Sequence, residues 1–346
     1  MSPPLFASSR TDRRSSFIDN RSMGEFDLID RFFKRPVTRN VLGIGDDCAL
    51  LQPAPGMQLA VSSDMLVEGR HFLSTVDPFK LGHKALAVNL SDLAACGAKP
   101  LAFTLALSMP VADVAWLEPF SRGLLELADA HGCELVGGDT TRGPLNICIT
   151  VFGEVPAGQA LLRSGARTGD DIHVSGNVGD ARLALELFRG TLSMPADIFD
   201  AARARMEQPT PRVALGQALR GIATAAIDVS DGLLGDLGHI LRQSRVGAWI
   251  DTDAALTLLA IGPLLTRTTS QLDDEKKLEY VLAGGDDYEL LFTAPASARD
   301  AVQSAARRSD TPVTRIGRIE ADAGLRLANA QGRVIDRRYG SFDHFA

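Results

Sequence analysis

The sequence predicts a mixed α/β (α+β) chain in two domains, and three observations carry that expectation. Short apolar runs alternate with helical stretches along most of the chain, the pattern of layered folds that combine sheets and helices. At 346 residues there is room for two domains, and a content of 45 % hydrophobic and 23 % charged residues is ordinary for a globular protein. Finally, Val41–Leu51, VLGIGDDCALL, is echoed near the other end as Ala283–Phe292, AGGDDYELLF. AVNLSDLAACGA echoes AIDVSDGLLGDLG in the same order, which points to two halves built on one plan.

Residues 1–22 are rich in Ser and Arg without periodicity, the composition of a disordered tail; Asp12 and Asp19 weigh against a transit peptide. From Gly24, GEFDLIDRFF sets Phe26, Ile29, Phe32 and Phe33 at helical spacing, a short helix with one buried face. Gln58–Ser62 reads as a strand delivering Ser63 and Asp64, followed by a loop, Gly69–Phe72, that carries His71. Pro78 opens a helix of small and apolar residues ending at Gly97, with Asn89 and Asp92 three apart and so on one face. Phe103–Ser108 is a strand, Ala112–His131 an amphipathic helix, Cys133–Val136 a buried strand ending in Gly137, Gly138 and Asp139, and Asn146–Val155 another strand.

The Gly-rich connector Pro156–Thr168 carries Arg163 and Arg167, and the domain boundary falls at its start, giving residues 23–155 and 156–346. Beyond it, Asp171–Ser175 is a strand, and the turn Gly176–Gly179 enters a helix at Asp180–Phe188. Amides at a helix N-terminus can bind phosphate. The spacing here is neither a P-loop nor GxGxxG, so a tight strand-to-helix turn is the plainer reading. Gln208–Arg212 is a proline turn before a helix, and Ala223–Asp231 is a strand entering DVSDG, whose helix continues through Leu241. Residues 251–277 suggest no chemistry; a helix near 297–308 and a strand near Val313 close the pattern.

The formal net charge of −7 argues against general nucleic-acid binding. Four dispersed cysteines without a CxxC argue against zinc or a disulfide framework and for a reducing compartment. No apolar run approaches a membrane span, so the expected protein is soluble and cytoplasmic. Besides the two Gly-Asp-Asp copies there are four acidic turns: SSD at Ser62–Asp64, NLSD at Asn89–Asp92, GGDTT at Gly137–Thr141 and DVSDG at Asp228–Gly232. Any one alone is an ordinary turn at a strand end. Six in one chain, mostly after apolar runs, point to paired or metal-bound carboxylates, because a buried free carboxylate is costly. Oxygen donors without convergent His or Cys suit Mg2+ before Zn2+, the usual partner of a nucleotide phosphate chain. A lone loop histidine is usually solvated, and only its position after an acidic turn makes His71 a ligand candidate. Phe342 and Phe345 read as core anchors or as an aromatic ligand wall.

In order, the motifs GEFDLI, GIGDDCALL, KALAVNLSDLAA, GGDTTRGP, RSGA, AIDVSDGLLGDLGHI, GGDDYEL and YGSFDHF resemble those of the thiamine-monophosphate kinases, from about residue 23 to the end. These belong to the superfamily that includes aminoimidazole ribonucleotide synthetase. The resemblance implies ATP-dependent phosphorylation of thiamine monophosphate to thiamine diphosphate. It also implies several Mg2+ ions, a homodimer closed through N-terminal sheets into a barrel-like interface, and active sites in the cleft between domains. By motif matching it assigns Asp47, Ser62, Ser63, Asp64, Asp92, Asp139, Asp228 and Asp231 to the metal ions, with Asp47, Asp92 and Asp228 central to catalysis. Gly138, Asp139, Arg163 and Ser230 match ATP contacts, and His71, Asp286 and Phe342 match contacts to thiamine phosphate. One departure stands out: the family usually reads GGEDYEL, where this chain has Asp286, a methylene shorter.

The alternatives are fewer. Selenophosphate synthetase calls for a reactive Cys or selenocysteine near the N-terminus, and residues 1–40 have none; the hydrogenase-maturation member ends in a cysteine, whereas this sequence ends Asp-His-Phe-Ala. A non-catalytic metal-binding protein could use the same carboxylates structurally.

Overall fold

The computed structural model describes residues 24–261, 272–337 and 339–340; the expected tail at 1–22 and the candidate Phe342 lie outside them. Helix α1 (Glu25–Phe32) buries Leu28 and Phe32, while Phe26, expected on the buried face, is 78 % exposed. The reason is helical phase: Phe26 precedes Leu28 by two residues, about 200° around the axis.

The first half then runs β1 (Met57–Val67), α2 (Pro78–Ala95), β2 (Lys99–Met109), α3 (Val114–His131), β3 (Glu134–Arg142) and β4 (Asn146–Pro156). The start of α2 is written locally, since Asp77 accepts the N–H groups of Phe79 and Lys80 and Pro78 fills the first turn. Asp113 caps α3 through Ala115 N–H, and left-handed Gly132 ends it. The strands form one sheet in the order β1-β4-β2-β3, with β2 and β3 parallel and the other pairs antiparallel. Two strands outrun their expected ends. β1 pairs with β4 through Ser63 and Asp64 to Val67, and β3 pairs with β2 through Gly138 and Asp139 to Arg142. Ladder hydrogen bonds to a long neighbour carry a strand across polar residues that would otherwise favour a turn. One face of this sheet packs on α2 and α3; on the other face Leu59, Val61 and Met65 are 46 %, 59 % and 53 % exposed.

The second half contains β5 (Asp170–Ser175), α4 (Asp180–Phe188), α5 (Ala196–Glu207), α6 (Val213–Ala218), β6 (Ala225–Asp228), α7 (Leu233–Ser244), β7 (Gly247–Asp251), α8 (Thr252–Leu256), α9 (Asp274–Ala283), β8 (Leu290–Pro295), α10 (Arg299–Arg308), β9 (Val313–Glu320) and β10 (Gly324–Ala328). Its sheet has the order β10-β7-β9-β5-β8-β6. The two sheets differ in strand number and order. AVNLSDLAACGA, with its expected acidic turn NLSD, falls in α2 and its C-terminal end, whereas AIDVSDGLLGDLG runs from β6 through a turn into α7, so the paired sequence motifs are not structural repeats. An apolar cluster joins Leu86, Leu90 and Leu93 of α2 to Leu215 of α6, Leu219 at its C-terminal end and Phe292 of β8; the helices α4, α7 and α9 pack in a second cluster. α2 is therefore the helix on which both halves meet. Among the described residues no helix is long and apolar enough to cross a membrane.

Candidate active site

Seven residues, two turns, separate Lys84 from Ser91 on α2, so both side chains leave the same side of the helix. Ser91 Oγ donates to Asp228 Oδ2 at 2.7 Å, at the end of β6. Toward β1, Asn89 Oδ1 accepts Asp64 N–H at 3.2 Å, and Asp92 Oδ2 accepts the Ser62 hydroxyl at 2.5 Å. One helix thus ties the acidic strand of the first half to the acidic strand end of the second.

The motif loops 228–232 and 284–289 are zipped to each other. Val229 N–H donates to Glu289 O at 2.8 Å, Tyr288 N–H to Val229 O at 2.9 Å, and Asp286 N–H to Ser230 O at 2.8 Å. Gly285 has φ +71°, and a Cβ there would stand 2.6 Å from Ser230 O, so glycine permits the approach. Asp286 and Tyr288 are themselves left-handed, at φ 65° and 54°. Asp286 Oδ2 meets Lys84 Nζ at 2.7 Å. Glu289, 1 % exposed, anchors the loop: it accepts from Ser175 and Arg205 and takes two bonds from the fork of Arg212, both 2.6 Å.

Asp287, the second acid of the motif, caps a helix instead of facing the cluster. Its carboxylate accepts Gly179 N–H at 2.9 and 3.0 Å, at the start of α4. The helix start after Gly176–Gly179 therefore holds a protein carboxylate, in keeping with the plain turn reading. Asp236, in the first turn of α7, reaches back to the preceding loop, accepting the N–H groups of Ser230 and Asp231 at 3.1 Å each. Burial, and then the charge of Asp231, push Asp236 up to about 7.

The central carboxyls are likewise held above their usual range. For Asp64 the causes are burial, then the charge of Asp92 and a hydrogen bond with it, then Asp231; for Asp228 they are burial and then Asp92. Asp92 is raised by burial against the pull of Ser62 and Arg163. Two carboxyls joined by a hydrogen bond share a proton, because two free carboxylates would repel. A cation at that place would displace the proton and remove the repulsion. The donor set is oxygen only and short of positive charge, which fits a hard divalent ion. Among the described residues no three His, Cys, Asp or Glu side chains already form a closed metal cage.

A second group lies apart. Asp47, Gly138 and Asp139 line a cleft of about 560 Å3, with Phe26, Ile29, Lys34 and Asp46 around it. Asp64 pairs with Ile149, Ile149 with Leu105, and Leu105 with Gly138, so β1 and β3 are opposite edges of one sheet. Three strand spacings make this separation about 14 Å. At Gly138, φ +150° and a Cβ position 1.9 Å from Leu105 O leave room for glycine alone. Adjacent residues alternate faces along a strand. The Ser63 hydroxyl is accordingly turned away from Ser62 and Asp64 to Thr150 Oγ1 at 3.0 Å, which leaves the backbone carbonyl as the oxygen Ser63 could offer a cation on the side of Asp64.

Ser230 and Asp231 stand beside Asp228, and Arg163 acts on Asp92 through its charge. His71 follows β1, its Nδ1 accepting Val67 N–H at 3.0 Å. Sequence reasoning missed Lys84, Asp236 and Tyr288. Tyr288 is raised well above the usual phenol range by burial and then by Asp286, Asp64 and Asp228, which places its hydroxyl among them. The signals were a lysine in a helix of small apolar residues, and an aspartate one turn inside the helix after DVSDG.

Comparison with known proteins supplies the remaining findings. The family model for AIR synthase related protein, N-terminal domain, matches residues 45–155, and that for the C-terminal domain matches residues 167–328. Thiamine-monophosphate kinase of Escherichia coli (strain K12) is 46 % identical over 328 residues, covering 93 % of this chain and 98 % of that one. The crystal structure of thiamine-monophosphate kinase from Stenotrophomonas maltophilia K279a superposes with a TM-score of 0.78 at 46 % identity, covering 89 % of this chain and 95 % of that one. A structure described as AaThiL complexed with AMPPCP and TMP gives a TM-score of 0.70 at 29 % identity, covering 93 % of this chain and 97 % of that one.

Proposed function

The chain belongs to the AIR synthase related family, among its thiamine-monophosphate kinases, and from that premise we propose that it transfers the γ-phosphoryl group of ATP to thiamine monophosphate, forming thiamine diphosphate and ADP. The observation that carries this reading is the convergence of Asp64, Asp92 and Asp228, drawn from both halves of the chain onto α2 and held above their usual pKa.

ATP and a phosphomonoester are both anions and must be neutralised before they approach in line. Asp64, Asp92, Asp228 and Asp231, with Ser62, would hold Mg2+ at the inner cluster, and Asp47 and Asp139 at the cleft. Bound there, Mg2+ would screen the phosphates and stabilise charge on the transferred group. Gly138, Arg163 and Ser230 are the proposed ATP contacts, and His71 and Asp286 those of the acceptor. The attacking atom is an oxygen of the acceptor phosphate. A phosphomonoester is largely dianionic near neutral pH, so no strong base is required and no phosphoenzyme forms.

We also propose a homodimer closed through the open sheet face, where Leu59, Val61 and Met65 are exposed. A second copy would bring its own β3 edge beside β1, uniting the two acidic groups that one chain keeps about 14 Å apart. A cytoplasmic location, with the domain division at residue 156, completes the reading.

The test is incubation of the protein with Mg2+, ATP and thiamine monophosphate, with chromatographic separation of the thiamine phosphates. Thiamine diphosphate formed in step with ADP supports the reading. ATP bound without any diphosphate formed would mean a different acceptor. Labelled phosphate trapped on the protein would overturn direct transfer.

A further inference from the structure

We propose that Lys84 is a positioning residue for the acceptor: it holds the carboxylate of Asp286 beside the inner acidic cluster from behind. The inference rests on the kinase reading above and adds a residue to it.

The ion pair is lopsided. The Lys84 side chain is 3 % exposed and that of Asp286 35 %, at a separation of 2.7 Å. A buried ammonium needs a fixed opposite charge. Here the cation is sealed in the protein and the carboxylate stays open toward the acidic cluster, where a ligand can reach it. A pair serving stability alone has no need of that asymmetry.

The backbone at Asp286 points the same way. Its φ of 65° is left-handed in a residue other than glycine, and Tyr288 repeats the strain at 54°. Such conformations persist only where the surroundings over-determine them. At Asp286 they do, through its N–H to Ser230 O, Gly285 packed on the same carbonyl, and Lys84 on the side chain. A shorter acid than glutamate has less reach of its own, so its position is set by this turn and by the lysine.

Lys84 also ties the acceptor contact to the cation site. It is on the helix that carries Ser91 and Asp92, eight residues before Asp92 and about 12 Å along the axis. Asp286 comes from the other half of the chain. The pair therefore fixes the distance between the carboxylate meant for the acceptor and those meant for the metal.

The experiment is steady-state kinetics on full-length wild type, Lys84→Met, Asp286→Asn and the double variant, varying each substrate in turn, with a thermal melt of each protein. We expect Lys84→Met to raise KM for thiamine monophosphate about tenfold, with kcat and KM for ATP within about twofold. The double variant should be no worse than Asp286→Asn, because both changes remove one contact. An unchanged KM for thiamine monophosphate in folded Lys84→Met overturns the proposal, and so does an equal loss toward both substrates. If Lys84→Met does not fold, Asp286→Asn carries the test, since an unchanged acceptor KM there is equally fatal. Wild type that makes no thiamine diphosphate defeats the kinase reading itself; wild type that does, with KM unmoved in Lys84→Met but raised in Asp286→Asn, defeats only the role of Lys84.

Discussion

The hydroxyl of Ser91 donates to Asp228 across 2.7 Å and joins α2 of the first half to the end of β6 in the second. Ser91 is 0 % and Asp228 5 % exposed, so the bond is out of reach of water. Ser91→Ala leaves the carboxyl without this donor and should lower stability by about 1–3 kcal/mol. Urea unfolding checks the value, and a change well below that range would mean that water or a rotated side chain replaces the bond.

Asp92 is expected to matter for turnover and not for folding. Its pKa is raised by burial, so the ionised carboxyl opposes the fold when no cation is present. Asp92→Asn should melt no lower than wild type in chelator while losing about 100-fold or more in turnover. Near-normal activity at limiting Mg2+ would remove Asp92 from the metal site.

The carboxyl cluster fixes the sign of the pH dependence. Asp64, Asp228 and Asp236 all have folded pKa values above the unfolded value, Asp236 at about 7. The folded state then binds more protons than the unfolded one, and stability falls as pH rises through these values. In chelator the melting temperature should be lower at about pH 8 than at about pH 6, and Mg2+ should flatten the difference. A melting temperature that rises with pH in chelator would contradict this account of the cluster.

The open sheet face predicts assembly. Val61 is 59 % exposed between Leu59 and Met65 on the same face of β1. Val61→Glu places a charge in the centre of the proposed dimer contact and should yield a monomer in sedimentation analysis, with activity lost in parallel. A dimer that persists with full activity would move the interface elsewhere.

The sequence by itself determined what local period and turn chemistry can express. Asp77 and Pro78 start α2, alternating apolar positions mark the strands, and the ordered motifs identify the family. It could not show that Lys84 is buried against an acid 202 residues away, or that Asp287 caps α4 while its neighbour Asp286 faces the cluster. Nor could it show that Asp64 and Asp139 belong to opposite edges of one sheet. Those outcomes were decided by strand order and by the meeting of both halves on α2. Both depend on contacts between residues far apart in the chain, whereas hydrophobic spacing and caps are properties of neighbours, written within a few residues of each other.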